Sequence, residues 1–302
     1  MIRADLQPRT RNNLIWRQIG LIIMVDKSLG QHWLYNRAIL EEIADLAAYG
    51  SASVKDGNVE NASAFKNSER TGVEEGSGVK NDPEPTVCVE IGPGLGTLTS
   101  SLLRRFEKVI AVEYDARLAK NLPGSFPGKN LEVVNADILE VDMENLENYV
   151  IAGNIPYYIT SPILKKVLTE KNLAKRVVLL MQKEVAERIL SEKETLLSLF
   201  VKNRAFIQAG PVVLREEFTP PPKVDSQVLI LEPHAPEVGE EVFDLIRTAF
   251  RAPRKKLVHN LSDFGDKEKI GEILREIGLD ENARPGDLHL GDYRQLLISL
   301  CN

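Results

Sequence analysis

Residues 87–96 read Val87-Cys88-Val89-Glu90-Ile91-Gly92-Pro93-Gly94-Leu95-Gly96, an apolar run that passes directly into alternating glycines. The apolar run predicts a buried strand, and a helical pattern follows it from residue 97 to residue 106. Glycine allows the backbone to approach a ligand closely at the carboxyl end of a strand. The segment therefore predicts a strand, a ligand-binding turn and a helix, which is the first unit of an α/β fold.

Two further apolar segments are followed by acids. Residues 108–113 predict a strand that ends in Glu113, at the place where dinucleotide-type folds hold a ribose diol. Residues 131–135 predict another strand, and Asp137 after it is an acceptor suited to an adenine amino group. These features fit a nicotinamide dinucleotide or S-adenosylmethionine. The dinucleotide fingerprint places its third glycine or alanine at position 97, where this chain has Thr97, so the spacing favours S-adenosylmethionine.

A fourth apolar segment, residues 149–152, leads into Gly153-Asn154-Ile155-Pro156-Tyr157-Tyr158. The Asn154 amide oxygen and a neighbouring backbone carbonyl can accept hydrogen bonds from an exocyclic amine. Pro156 restricts the backbone, and Tyr157 offers a face on which a flat ring can stack. Together with the glycine turn and the two acids, this motif predicts a methyltransferase that acts on an amino group.

The motifs along the chain resemble those of the KsgA/RsmA-type ribosomal RNA adenine dimethyltransferases. The resemblance covers residues 27–300 apart from one insertion, and six motifs occur in the family's order. They are Lys27-Ser28-Leu29-Gly30-Gln31-His32-Trp33-Leu34, the glycine turn, Asn154 to Tyr157, Met181-Gln182-Lys183-Glu184-Val185, Phe218-Thr219-Pro220-Pro221-Pro222-Lys223-Val224-Asp225-Ser226, and Ala249-Phe250 through Asn260-Leu261.

The resemblance implies a reaction and a set of site residues. The reaction is transfer of methyl groups from S-adenosylmethionine to N6 of two adjacent adenosines in the 3′-terminal hairpin loop of small-subunit ribosomal RNA, within a 30S-type subunit or an assembly intermediate. The implied catalytic residues are Asn154, Ile155, Pro156, Tyr157 and Phe218. The implied cofactor-binding residues are His32, Leu34, Gly92, Glu113, Asp137 and Asn154.

Phe218 begins a stiff, proline-rich loop, and two interpretations of it are open. A rigid loop can present an aromatic ring to a flipped base, so that Tyr157 and Phe218 would hold the target adenine between them. Alternatively, Phe218 fills the core beneath the prolines. The family resemblance favours the first interpretation.

The chain divides into two predicted domains. Alternating strands and helices through about residue 182 predict a doubly wound, mostly parallel sheet, so residues 27–233 are assigned to a Rossmann-like methyltransferase domain. After Pro233 only helical periodicity remains, and residues 234–302 are assigned to a small helical RNA-binding domain. Its basic residues could be a solvated helix surface, but the resemblance favours phosphate binding. They are Arg247, Arg251, Arg254, Lys255 and Lys256.

Two segments depart from the family pattern. Residues 1–26 precede the resemblance; either Met24 is the true start or the segment is a genuine basic arm. Residues 51–86 contain no Leu, Ile, Met, Trp or Tyr and carry seven acids against four bases. Such a segment cannot bury enough apolar surface to offset its ordering entropy, so a disordered acidic insertion is predicted.

The composition of the chain limits its possible location, oligomeric state and partners. The 302-residue chain has two cysteines, which argues against a disulfide framework or a metal cluster and favours a cytoplasmic setting. The sequence contains no membrane-spanning segment, and no additional apolar face calls for a dimer, so a monomer is expected. The net charge of −6 is unfavourable for an RNA-binding protein, although only the surface that meets phosphate must be positive.

Three alternatives remain open. A nicotinamide-dependent oxidoreductase would share the strand, the turn and the acid, but leaves the Asn154 motif unexplained. A large-subunit RNA dimethyltransferase of the macrolide-resistance type would share nearly every catalytic residue. A non-catalytic ribosome-assembly or nucleic-acid-binding factor of the same fold is the third. Residues 193–196 depart from the family pattern, which usually has a glycine there, and this leaves room for the third alternative.

Overall fold

The computed structural model describes residues 31–48 and 85–301. Within them, a seven-stranded sheet has the strand order β4-β3-β2-β5-β6-β9-β7, and two short strands, β1 and β8, pair separately. The strands are β1 (Trp33–Leu34), β2 (Val87–Ile91), β3 (Lys108–Glu113), β4 (Leu131–Asn135), β5 (Tyr149–Asn154), β6 (Arg176–Gln182), β7 (Ala205–Val213), β8 (Phe218–Thr219) and β9 (Ser226–Pro233).

The strand order creates a crevice at the carboxyl ends of β2 and β5. The chain runs outward from β2 to β3 and β4, then returns to the other side of β2 as β5 and continues outward to β6. These five strands are parallel, with Ile91 opposite Gly153, and β9 adds antiparallel between β6 and β7. Open sheets of this kind bind ligands where the strand order reverses. The predicted Rossmann-like α/β fold is confirmed.

The central strands are continuous apolar runs because both faces of the sheet are covered. In β2, Val89 and Ile91 pack into one buried cluster, and Cys88 packs into a second cluster on the opposite face. Alternate residues of a strand point to opposite faces, so a strand that is covered on both sides must be apolar at nearly every position. Glu90 is the exception within β2, and it is buried.

Helices pack on both faces of the sheet and form the C-terminal part. The Asn36 side chain caps α1 by accepting from the backbone N–H groups of Ala38 and Ile39. The helices are α1 (Arg37–Ala47), α2 (Thr97–Leu102), α3 (Ala116–Asn121), α4 (Thr160–Val167), α5 (Lys183–Leu190), α6 (Leu196–Lys202), α7 (Glu240–Ala249), α8 (Leu257–Asn260), α9 (Lys267–Glu276) and α10 (Leu290–Cys301). Helix α2 ends four residues earlier than predicted.

The C-terminal helices enclose their own core, which reaches into α6. Leu199 of α6 belongs to the buried cluster formed by α7 to α10. Just before α6, the buried Glu194 carboxylate contacts Lys202 Nζ at 2.6 Å and His289 Nδ1 at 3.1 Å. The Glu194 backbone N–H also donates to the carbonyl of Gly286 at 2.8 Å. The segment that departs from the family pattern therefore joins the sheet domain to the C-terminal helices.

Several predictions concern features that the described residues address only in part. Among residues 31–48 and 85–301, no helix is long and apolar enough to cross a membrane. The same residues contain no cluster of His, Cys, Asp or Glu that could hold a metal ion. The predicted extension at 1–26 lies outside the described residues, as does the predicted insertion at 51–86 except for its last two residues.

Candidate active site

A cavity of about 340 Å³ opens at the carboxyl ends of β2, β3, β4 and β5. It brings together most of the residues that the sequence singled out, although they come from five separate segments of the chain. Leu34 and Phe218 are not among the residues that line it. The predicted site residues that do are His32, Gly92, Glu113, Asp137, Asn154, Ile155, Pro156 and Tyr157.

The glycine turn forms the floor of the cavity, and its conformation explains its composition. Gly92, Gly94 and Gly96 have φ values of 66°, 57° and 82°, which side-chain-bearing residues rarely adopt. A Cβ on Gly94 would lie 3.1 Å from Nε1 of Trp33, so the indole ring is packed directly against the turn. The residue type at this position is therefore set by both backbone angle and space.

Glu113 is held in one orientation by the backbone. Its Oε2 accepts from the Gly94 N–H at 3.0 Å, and its Oε1 accepts from the Asp115 N–H at 2.8 Å. Burial raises the pKa of Glu113, and these backbone donors oppose the increase. Each carboxylate oxygen has a second lone pair, so the group can still accept hydrogen bonds from a diol in the cavity.

Asn154 ends β5, and a single hydrogen bond orients its amide. The Nδ2 group donates to the backbone carbonyl of His32 at 2.9 Å, which leaves Oδ1 as an acceptor. Gly153 before it is required for close packing, because a Cβ there would lie 2.7 Å from the Ile91 carbonyl oxygen. The N–H of Ile155 donates to the carbonyl of Leu180 at 3.2 Å and fixes the backbone that follows. The motif thus presents an acceptor from a rigid position.

Tyr157 joins three distant parts of the chain. Its ring stacks on the His32 ring with a centroid distance of 5.7 Å and an angle of 23°. Its hydroxyl lies 2.7 Å from Ser226 Oγ. Nδ1 of His32 lies 2.8 Å from the carbonyl oxygen of Pro220, to which an N–H at that position donates. The N-terminal segment, the Asn154 motif and the proline-rich loop are therefore held together at this end of the cavity.

The structure places Phe218 in the core and not at the cavity. The side chain is 2% exposed and packs in a buried cluster with Leu34. The two residues face each other in the antiparallel pair of β1 and β8, which directs both into the core. The observed packing favours the core-filling interpretation of Phe218, and its role in an adenine clamp stays a prediction. The Leu34 side chain likewise lies away from the cavity.

The predicted basic face of the C-terminal domain does not form along one helix. Helix α7 ends at Ala249, so Arg251 and Lys255 lie in the turn beyond it. Arg247 pairs with Glu240 at 2.8 Å, and Arg251 pairs with Asp263 at 2.7 Å. In the described part of the chain, the members of the basic set without an ion pair are Arg254, Lys255 and Lys256, and all three are exposed. Their role in RNA binding stays a prediction.

Glu90 is a buried acid near the site to which the sequence assigned no role. Its side chain is 1% exposed, two residues before Gly92, and Oε2 has no hydrogen-bond partner in the described structure. Burial raises the pKa of Glu90 to about 8, with a smaller contribution from the nearby Glu113. The signal available in the sequence was an acid inside an otherwise apolar strand.

The comparisons with known proteins agree with this geometry. The profile of the Ribosomal RNA adenine dimethylase family matches residues 24–301. Two proteins named Ribosomal RNA small subunit methyltransferase A, from Bacillus thuringiensis (strain Al Hakam) and Bacillus cereus (strain B4264), are 32% and 33% identical over 297 residues. Each match covers 91% of this chain and 90% of the relative.

Two solved structures share the fold over most of the chain. A dimethyladenosine transferase from Plasmodium falciparum is 26% identical with a TM-score of 0.64, covering 88% of this chain and 96% of that chain. The 23S rRNA methyltransferase ErmE is 23% identical with a TM-score of 0.66, covering 89% of this chain and 100% of that chain. With the family profile spanning nearly the whole sequence and the Bacillus relatives above 30% identity, this chain belongs to the ribosomal RNA adenine dimethylase family.

Proposed function

We propose that this protein transfers methyl groups from S-adenosylmethionine to N6 of two adjacent adenosines in the 3′-terminal hairpin loop of small-subunit ribosomal RNA. The observation that carries the proposal is the position of Asn154, which lines the same cavity as the glycine turn and Glu113 and whose Nδ2 is engaged by the His32 carbonyl, so that Oδ1 is the atom left to accept. An acceptor for an exocyclic amine thus lies beside the features of a nucleoside-cofactor site. The names of the Bacillus relatives favour the small-subunit substrate.

The residues of the cavity fit S-adenosylmethionine. Glu113 would accept from the ribose hydroxyls, because its oxygens are fixed by two backbone donors and remain able to accept. Asp137 would accept from the adenine amino group. Gly92 lines the cavity with a φ of 66°, and without a side chain it lets the backbone approach the ligand. A cavity of about 340 Å³ is within the usual range for a small-molecule site.

When bound, the cofactor supplies an activated methyl group and takes back the electron pair of its carbon–sulfur bond. The N6 lone pair forms the new carbon–nitrogen bond, and a proton then leaves N6 for solvent. Asn154 Oδ1 and the backbone carbonyl of Ile155 would accept from the N6 hydrogens and aim the lone pair at the methyl carbon. This alignment is the main contribution required of the protein, because correct orientation alone lowers barriers substantially.

Tyr157 would provide the stacking face for the target base. The Ser226 hydroxyl and the His32 ring already fix the position of the Tyr157 ring, so the ring loses little further conformational entropy when the base binds. Stacking would recover part of the free energy that is lost when the adenine leaves its RNA stack. The stacking is assigned to Tyr157 alone, because Phe218 is buried and does not line the cavity in this structure.

The RNA partner would be a small subunit or an assembly intermediate, bound in part by the exposed basic residues beyond α7. Arg254, Lys255 and Lys256 are the members of that set that could contact phosphate without losing an ion pair. A monomer and a cytoplasmic location complete the proposal. The two cysteines, one buried and one exposed, form no disulfide and suit a reducing compartment.

The test is methyl transfer from labelled S-adenosylmethionine to unmethylated small ribosomal subunits, with large subunits as a parallel substrate. We expect dimethyladenosine in small-subunit RNA only. Asn154→Ala should lower the rate by a factor of about 100 or more, because several kcal/mol of alignment are lost.

A matched control is available in Asn130→Ala. This asparagine also donates to a backbone carbonyl, that of Glu107 at 2.9 Å, but it precedes β4 and lies at the opposite edge of the sheet. The methyl transfer rate of Asn130→Ala should equal that of the wild type. Label in large subunits alone would assign the protein to the substrate class named for ErmE. No label in either subunit, from a folded protein that binds subunits, would favour the non-catalytic factor.

A further inference from the structure

Tyr114 and Tyr158 line the cavity but have no structural role that accounts for them. They are 64% and 62% exposed, more than any other large apolar or aromatic side chain in the described residues. Neither hydroxyl makes a hydrogen bond within that part of the chain, and neither ring contacts another ring there. Tyrosines that stabilise a fold are usually buried, with the hydroxyl bonded. Two exposed tyrosine rings that line a cavity without such contacts therefore indicate a ligand-binding role.

The two tyrosines lie on the same side of the cavity, near Asp137. Tyr114 directly follows Glu113 at the end of β3, and Asp137 comes two residues after the end of the adjacent strand, β4. The pKa of Tyr158 is raised, first by partial burial and then by the charge of Asp137 and by Tyr114. The Tyr158 side chain is therefore within electrostatic reach of both.

The local backbone separates Tyr158 from Tyr157. Residues Tyr157–Ile159 form a single 3₁₀ turn, in which successive side chains point about 120° apart. Tyr157 contacts His32 and Ser226, on the β9 side of the cavity. Tyr158 consequently points in a different direction from Tyr157, and it lines the cavity within electrostatic reach of Asp137.

We propose that Tyr158 is a cofactor-binding residue whose ring stacks on the adenine of S-adenosylmethionine, with Tyr114 at the edge of the same subsite and Asp137 accepting from the adenine amino group. The inference rests on the cofactor assigned under the proposed function. It adds a subsite contact from the residue immediately after the Asn154-Ile155-Pro156-Tyr157 motif. One short turn then serves both ligands, with Tyr157 facing the target base and Tyr158 facing the cofactor.

The test is calorimetric binding of S-adenosylhomocysteine to the full-length protein in the absence of RNA. Loss of one stacking ring should weaken binding by a factor of about 5 to 100, so we expect that range for Tyr158→Ala. Tyr158→Phe retains the ring and should stay within about twofold of the wild type. Phe206→Ala is the matched control, because Phe206 is 58% exposed on the edge strand β7 and does not line the cavity.

A second ligand localises the contact to the adenine. Methylthioadenosine lacks the amino-acid part of the cofactor, so Tyr158→Ala should weaken its binding by the same factor as that of S-adenosylhomocysteine. Loss of the effect with methylthioadenosine would overturn the adenine assignment. The melting temperature of the free protein should be unchanged in Tyr158→Ala, since the exposed ring contributes little to folding.

The remaining outcomes separate this inference from the proposed function. If the wild type binds S-adenosylhomocysteine and Tyr158→Ala binds it equally well, this inference is wrong and the cofactor assignment stands. If that variant also binds a small-subunit RNA hairpin more weakly, Tyr158 belongs to the RNA surface. If the wild type binds neither adenosine ligand, the cofactor assignment fails and this inference fails with it.

Discussion

Glu90 should make the stability of this protein depend on pH in a way that one substitution removes. The carboxyl group is buried before the glycine turn, and burial raises its pKa from 4.5 to about 8. A raised pKa means that the folded state binds the proton more tightly than the unfolded state. The stabilising contribution is therefore fully present below pH 4.5 and is lost as the pH rises toward 8. Glu90→Gln keeps the shape of the side chain and removes the titration.

The size of the effect follows from the two pKa values. Each pH unit between them is worth about 1.4 kcal/mol, so the complete loss is about 5 kcal/mol. Between pH 5.5 and pH 8.5, the free energy of unfolding of the wild type should fall by about 3 kcal/mol relative to that of Glu90→Gln. The comparison uses the change with pH, because the buried amide adds an offset that does not vary with pH.

The assay is urea unfolding of the free protein at pH 5.5, 7.0 and 8.5, followed by circular dichroism. Glu140→Gln is the control for the substitution itself, because Glu140 is exposed and lies outside the buried core. Parallel profiles for the wild type and Glu90→Gln would refute the reasoning, since they would mean that Glu90 titrates alike in the folded and unfolded states.

Three further predictions concern single substitutions elsewhere in the structure. Gly94→Ala should lower the free energy of unfolding by about 1–3 kcal/mol in thermal melts and weaken S-adenosylhomocysteine binding, because φ is 57° and the new Cβ would press on Trp33. Gly124→Ala should change neither quantity, because a Cβ there meets nothing within 4 Å. Phe218→Ala should lower the free energy of urea unfolding by about 3–5 kcal/mol, because the ring is buried. Phe218→Leu should keep methyl transfer near the wild-type rate. Loss of RNA affinity in either variant without loss of stability would support the stacking role. Glu194→Ala should lower the free energy of urea unfolding by about 3 kcal/mol, because it removes the ion-pair partner of Lys202. A decrease of less than about 0.5 kcal/mol would contradict this prediction.

The parts of the fold that could be predicted from sequence are those written in local patterns. Strands β2 and β3 end at Ile91 and Glu113 as expected, because a strand covered on both faces needs an unbroken apolar run. Strand β4, at the edge of the sheet, also lies at the predicted residues. The glycine turn and the Asn154 motif follow such runs directly. Their meeting in one cavity could also be anticipated, since the carboxyl ends of parallel strands share one edge of a sheet.

The parts that could not be predicted depend on contacts between distant segments. The burial of Phe218 follows from its pairing with Leu34, which lies 184 positions earlier, and no local pattern encodes that pair. Arg251 looks available for phosphate in the sequence, but the fold brings Asp263, from beyond α8, to pair with it. Arg247 differs, because its partner Glu240 lies on the same helix. Tyr158 gives no local signal either, because its significance comes from its nearness to Asp137 and Tyr114.

His32 shows how the two halves of the site depend on one contact. Its carbonyl accepts from Asn154 and so sets which atom of that amide is offered to the substrate, while its ring stacks on Tyr157. Its Nδ1 is in turn bonded to the carbonyl of Pro220, in the loop that follows β8. The pairing of β1 with β8 brings His32 and Pro220 together, so it orients the substrate acceptor although neither strand supplies one. A substitution that loosens this pair should consequently reduce methyl transfer, because it releases the contact that orients the Asn154 amide.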